Sequence, residues 1–155
     1  MGPLVSEDQL NRVLGYLESG KADGVKTVVG GNRVGDRGYF VEPTVLTEAH
    51  SGMKVVDEEI FGPVVCAMPF DEVDEVATQM NQTTYGLAGA IWTKDIGKAH
   101  RLCRAMKAGT VWINCYNIFD AALPFGGYKQ SGWGREMGRE VLELYTEVKS
   151  VCLKV

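Results

Sequence analysis

From Pro63 onward the chain alternates short apolar runs with amphipathic segments, and this alternation limits the fold more than any other feature. The runs are Val64-Val65-Cys66-Ala67-Met68, Leu87-Ala88-Gly89-Ala90-Ile91-Trp92 and Val111-Trp112-Ile113. Between the first two, residues 71–81 set Val73, Val76, Ala77 and Met80 on one helical face. Between the second and third, Asp95 caps a helix carrying Ile96, Ala99, Leu102, Cys103 and Met106 that stops by Gly109. Runs that are apolar at successive positions imply strands covered on both faces, as in a parallel sheet with right-handed crossovers. The reading is an α/β fold with a parallel β-α-β-α-β unit. Sites in such sheets gather beyond the carboxyl ends of the strands, which points to Asn114 and the long glycine-rich loop 115–136 after it.

The flanks add less regular pieces. Leu10, Val13, Leu14 and Leu17 recur at helical spacing, so a helix runs over 6–20, with Ser6 as N-cap, Gln9 completing a capping box and Gly20 in the left-handed terminal position. Residues 25–29 read as a strand, 30–32 as a turn, and 37–45 as extended backbone interrupted by Pro43. A helix over 139–145 leads into a tail in which Val151, Leu153 and Val155 alternate with Cys152 and Lys154. That alternation predicts a terminal strand with one exposed face, an edge open to a partner.

Charge and cysteine usage exclude several classes of function. Sixteen basic against 20 acidic residues give a net charge of −4, and no basic cluster is dense enough to follow a phosphate backbone, so no nucleic-acid partner is expected. No apolar stretch approaches the ~20 residues of a membrane span, and the first residues lack the basic start and apolar centre of a signal peptide. The expectation is a soluble cytoplasmic protein, one domain by default or two small lobes. Cys66, Cys103, Cys115 and Cys152 form no C-x-x-C pair, and with only His50 and His100 there is no zinc spacing, so the cysteines read as reduced thiols and no metal is expected.

Few residues stand out as chemistry. Gly132, Gly134 and Gly138 miss the dinucleotide fingerprint by one residue and follow no apolar strand. Cys115 stands after a strand end, where a nucleophile would be placed, but no neighbouring His, Lys or Arg would lower its pKa, and a packed or wall cysteine is the favoured reading. Residues 57–65, DEEIFGPVV, drive three acids into an apolar run. A carboxylate there is suited to two sugar hydroxyls, with Phe61 offering a flat face to an aromatic ring. The competing reading is a solvated strand end, and spacing alone does not choose between them.

DEEIFGPVV at 57–65, YGLAGAIWTKD at 85–95, AGTVWIN at 108–114 and PFGGYKQSGWGRE at 124–136, in this order, strongly resemble the C-terminal part of the NAD(P)-dependent aldehyde dehydrogenases. The resemblance runs from GPLVSEDQ at 2–9 to YTEVKSVCLKV at 145–155 and leans toward the branch that oxidises general, aromatic and betaine-type aldehydes. It implies that residues 1–142 belong to the catalytic domain and 143–155 to an oligomerisation segment, hence a homo-oligomer. It implies NAD or NADP as cofactor of the full-length enzyme and a small aldehyde as substrate, oxidised to the acid through a thiohemiacetal and a thioester. By the same resemblance Glu59 would bind the hydroxyls of the nicotinamide ribose and Phe61 would lie against the nicotinamide. Gln9 and Arg12 match positions near that ribose, Phe119 and Phe125 would line the aldehyde entrance, and Arg135 and Glu147 sit where a steadying pair can form. The family's nucleophilic cysteine, general-base glutamate and glycine-containing cofactor domain lie upstream of the resembling region. None of the four cysteines matches the nucleophile's context, so the chain holds no catalytic residue and is expected to be inactive alone. The alternatives are a non-catalytic assembly module derived from the family, and a relative acting on acyl-thioesters or phosphorylated semialdehydes.

Overall fold

Ser6 opens the first helix, α1 (Glu7–Ala22), its Oγ accepting from the Gln9 amide at 3.2 Å. Leu10, Val13 and Leu17 fall on the buried face as the spacing predicts, and Tyr16 and Gly20 join them. The expected punctuation differs at both ends. Gly20 lies inside the helix because its missing side chain admits α2 (Lys54–Asp57): a Cβ there would sit 2.9 Å from Val55 Cγ1. The left-handed position falls instead to Gly24, at φ 89°, whose N–H reaches the Lys21 carbonyl. At the other end the Gln9 side chain leaves Ser6 for carbonyls far along the chain, so only half of the capping box forms.

The computed structural model describes residues 1–155, which form two units, 1–72 and 73–155. In the first, β1 (Lys26–Val29), β2 (Thr44–Thr47) and β3 (Val64–Cys66) form a sheet in that order. β1 runs antiparallel to β2 and β3 parallel to it, with Thr44 opposite Val64 and Leu46 opposite Cys66. The α1 face packs with Val25, Val41, Leu46, Ala49, Val55 and Ile60 into the unit's core. Burial of this set is the main favourable term for the unit.

In the second unit, β5 (Ala88–Ile91) and β6 (Thr110–Ile113) pair in parallel, Ala88 opposite Thr110 and Ile91 opposite Ile113. The chain between them carries α4 (Ile96–Ala105), so this is a β-α-β unit. Asp95 caps α4 as expected, its Oδ1 accepting from the Lys98 amide at 3.0 Å. Before it lie α3 (Val73–Gln79) and β4 (Tyr85–Gly86); after it come β7 (Tyr128–Lys129), antiparallel to β4, and α5 (Val141–Tyr145). Ile91, Ala99 and Trp112 are buried.

The parallel strands of the α/β reading are therefore present in each unit, with one rearrangement. The run at 64–68 takes β2 as its partner, an element whose proline-interrupted sequence gave little sign of it, and does not continue a single five-element sheet. Nor are the runs covered on both faces: Val65 and Leu87 are exposed, and α3, only seven residues long, buries none of its own side chains. Residues 146–155 are exposed and form no helix or strand. The alternating tail has no ladder partner in this chain, and a strand without one is only extended backbone.

Candidate functional site

The three acids of 57–59 are separated by what each meets. Asp57 ends α2 and turns back, accepting from the Gly52 amide with both oxygens at 3.2 and 3.1 Å. Glu58 accepts from the buried Tyr16 hydroxyl at 2.7 Å. Glu59 is exposed, and its carboxylate has no hydrogen bond or ion pair within the chain. Two of the three carboxylates are thus structural, and one is left for solvent or a ligand.

The loop that carries Glu59 rests on α1 over successive turns. Tyr16 holds Glu58, as above. At Gly62 a Cβ would stand 2.6 Å from Val13 Cγ2, so the loop backbone lies against Val13 and only glycine fits. One turn nearer the N-terminus, Gln9 Nε2 donates to the Phe61 carbonyl at 2.9 Å and to the Ile60 carbonyl at 3.4 Å. Ile60 is buried among the core side chains, whereas Phe61 stands 73% exposed with φ 54°, a left-handed conformation that a non-glycine residue seldom adopts. Arg12 lies on the same helix with its guanidinium 5.9 Å from the Tyr16 ring centroid, and Lys54 Nζ stands 5.0 Å from that centroid. A cleft of about 450 Å³ opens beside the loop, lined by Glu59, Phe61, Val64, Val65, Cys66 and Met68 among others. Burial pushes the Cys66 thiol above its ordinary pKa, and its Sγ donates to the Val55 carbonyl at 3.3 Å, so it is no thiolate.

Gln9 and the loop that carries Glu59 and Phe61 therefore come together in the first unit, although 52 residues separate Gln9 from Phe61, and Arg12 lies on the same helix beside Tyr16. Sequence reading missed Tyr16 and Lys54. A tyrosine at helical spacing from Val13 and Leu17 looks like core, and it is core; the only additional signal was its hydroxyl, which must find a partner when buried.

In the second unit the loop after β6 folds back over the strand it leaves. Trp112 Nε1 donates to the Ile118 carbonyl at 2.8 Å. Its ring meets Tyr116 edge-on at 5.3 Å and Phe119 at 5.7 Å, and Phe119 meets Phe125 at 5.1 Å and 81°. The Trp112, Phe119 and Phe125 rings wall a slot of about 230 Å³, with Cys115, Ile118 and Met137 completing its sides. Phe119 and Phe125 are thus brought together, and Cys115 is a wall residue of their slot. Asn114, to which the strand ends pointed, is a strut. Its amide exchanges hydrogen bonds with the Thr93 backbone at 2.8 and 2.9 Å, locking the end of β6 to the turn before α4. Arg135 does not pair with Glu147. Its Nη1 donates to the Gly134 and Gly127 carbonyls at 2.6 and 3.1 Å, and its guanidinium stands 5.4 Å from the Tyr128 ring centroid. A guanidinium with two carbonyls in reach has no need of a carboxylate on an exposed tail. No cluster of three or more His, Cys, Asp or Glu side chains is placed to hold a metal ion, and no helix is long and apolar enough to cross a membrane.

A family model described as "Aldehyde dehydrogenase family" matches residues 1–151. The mitochondrial aldehyde dehydrogenase of Equus caballus is 53% identical over 154 residues, covering 99% of this chain and 31% of its own length. The structure of an aldehyde dehydrogenase from Bacillus cereus in complex with NAD+ superposes with a TM-score of 0.94 at 55% identity, covering 97% of this chain and 31% of that one. An indole-3-acetaldehyde dehydrogenase of P. syringae, a C302A mutant in complex with NAD+ and IAA, superposes at 0.95 with 43% identity over the whole of this chain and 32% of that one. The chain spans about a third of the length of the curated relatives it matches.

Proposed function

The chain belongs to the aldehyde dehydrogenase family, and from that premise we propose that it supplies the cofactor-facing loop and the aldehyde-facing slot of an NAD(P)-dependent enzyme that oxidises an aldehyde to a carboxylic acid. One observation carries the reading: of three adjacent acids, only Glu59 is left unengaged, beside an exposed aromatic ring held in a rare backbone conformation.

The residues present fit a nicotinamide cofactor. A free carboxylate offers acceptor sites to two vicinal hydroxyls, and the Phe61 ring offers an apolar face to a flat heterocycle. Glu59 and Phe61 would hold the nicotinamide end, with Gln9 and Arg12 on the helix beside them. When bound, that cofactor supplies the hydride acceptor of the reaction. The Phe119 and Phe125 slot would take the aldehyde's side chain and exclude water around it, favouring apolar or aromatic substrates. Of the four thiols, Cys66 and Cys103 are pushed up by burial, Cys115 forms a slot wall, and Cys152 stands on the exposed tail, outside the residues that line the slot. The nucleophilic cysteine and the general-base glutamate of the family's thioester chemistry are therefore assigned to residues outside these 155, and the chain alone is expected to be inactive. The 143–155 tail is read as an oligomerisation segment for pairing with a second copy.

The test has two arms. The isolated chain, assayed with small alkyl and aromatic aldehydes and either nicotinamide cofactor, gives no turnover. The same chain substituted for the matched segment of the Bacillus cereus enzyme restores cofactor-dependent oxidation. Turnover by the isolated chain that is abolished by Cys115→Ser would make Cys115 a nucleophile, and an inactive but folded hybrid would sink the reading.

A second reading rests on the tail, where Val148, Val151, Leu153 and Val155 are fully or largely exposed. Such a segment suits a non-catalytic assembly module. It is separated from the first reading by the hybrid, which under the module reading assembles but does not oxidise aldehydes.

A further inference from the structure

We propose that Gln9 is a positioning residue: both N–H bonds of its amide are spent on successive carbonyls of the 59–61 loop, and through them it sets the direction of Glu59 and Phe61. The proposal rests on the reading that these two residues face a nicotinamide cofactor. It also changes the part of Gln9 in that reading from neighbour of the ribose to clamp of the residues that meet it.

The geometry is specific. Gln9 Nε2 lies 2.9 Å from the Phe61 carbonyl and 3.4 Å from the Ile60 carbonyl, and an amide nitrogen has just two hydrogens to give. The carbonyls belong to consecutive residues whose side chains have opposite fates, Ile60 buried in the core and Phe61 held out in the open. Separating them that way requires the left-handed turn at Phe61, φ 54°, which an L-residue adopts only where its surroundings over-determine it. Gln9 is one of those constraints, and the contact of Gly62 with Val13 on the next turn of the same helix is the other. On the far side of Glu59, Tyr16 fixes Glu58 at 2.7 Å. The free carboxylate is thus bracketed by two side chains of α1, neither of which hydrogen-bonds to it.

Gln9→Glu separates a clamp from a ligand. Glutamate keeps the size and the acceptor oxygens that would receive ribose hydroxyls, but at neutral pH it has no hydrogen to donate. An acid in the first turn of a helix also favours that helix, so the variant is not expected to lose its fold. In the hybrid enzyme, Gln9→Glu and Gln9→Ala are both expected to raise KM for NAD about tenfold, the weight of a lost pair of neutral hydrogen bonds, with KM for the aldehyde unchanged. In the isolated 155-residue chain, backbone carbon shifts and couplings of Phe61 should leave the left-handed range in both variants. A Gln9→Glu hybrid with wild-type KM for NAD, or a Phe61 backbone unmoved in both variants, would overturn the clamp. A wild-type hybrid without NAD-dependent turnover would count against the functional reading alone, and the Phe61 measurement would still decide the clamp.

Discussion

Asp57, Glu58 and Glu59 carry the same charge within three residues, and what separates them is what lies within reach. Asp57 satisfies a backbone amide, Glu58 a tyrosine hydroxyl, and Glu59 neither. The distinction predicts unequal mutants. In the hybrid enzyme Glu59→Gln should raise KM for NAD by roughly tenfold to a hundredfold, as the loss of hydrogen bonds to a charged acceptor does. Glu58→Gln, which keeps an oxygen for Tyr16, should stay within about threefold. Equal effects at the two positions would undo the assignment. At this scale the sequence was only half legible. It placed an acid and an aromatic ring at the entrance of a strand, but which acid was free depended on Tyr16, 42 residues away, and on Gly52, and no local spacing encodes such contacts. Arg135 shows the same limit in reverse, since its carbonyl partners are near in sequence and the expected carboxylate was the wrong choice.

At the scale of elements, caps and amphipathic periods were legible because their causes are local. α4 begins where Asp95 said it would, and α1 buries the face its leucines and valine mark. Asp95 offers a pH test. The Lys98 amide, foremost, holds its carboxyl below the ordinary aspartate value, with the Gly97 amide and the charges of Lys98 and Arg101 adding to the effect. A carboxylate lowered on folding adds stability above its unfolded pKa and loses it as the pH falls through the folded one. Acidification from the ordinary aspartate range downward should therefore weaken wild-type α4 in a step that Asp95→Ala lacks, the two converging at low pH. Circular dichroism against pH checks this, and parallel curves would refute it. Strand pairing was less legible, because β2 announced itself poorly and β3 could equally have continued a longer sheet. Gly109 marks a closer dependence: a Cβ there would fall 1.6 Å from the Gly126 carbonyl, a backbone atom that cannot step aside alone. Gly109→Ala should cost about 3 kcal/mol or more in denaturant unfolding, and a loss under 1 kcal/mol would show that the 126 loop yields freely.

At the scale of the whole chain, apolar surface remains uncovered in both units. Val28, Val29 and Val65 are exposed in the first, and Leu142, Leu144, Tyr145 and the tail valines in the second. Patches of this kind mark surfaces made for partners. Self-association is therefore expected, and removing residues 149–155 should reduce it in light scattering. A chain that is monomeric with and without the tail would remove the tail from any account of assembly. The motif order that carried the family resemblance was legible across nearly the entire length, whereas the division into units at residue 72 went unread, although the charge balance shifts there from 6 basic and 12 acidic residues before it to 10 and 8 after it.

The three tryptophans differ sharply in surroundings: Trp133 is 99% exposed, Trp92 63%, and Trp112 8%, against the rings of the aromatic slot. The slot thus contains its own optical reporter. Under a neutral collisional quencher such as acrylamide, emission from Trp133 and Trp92 should be suppressed first, leaving a blue-shifted residue from Trp112. A hydrophobic aldehyde entering beside Phe119 should alter that protected component and leave the quenched one unchanged, so occupancy can be read from fluorescence even where no turnover occurs.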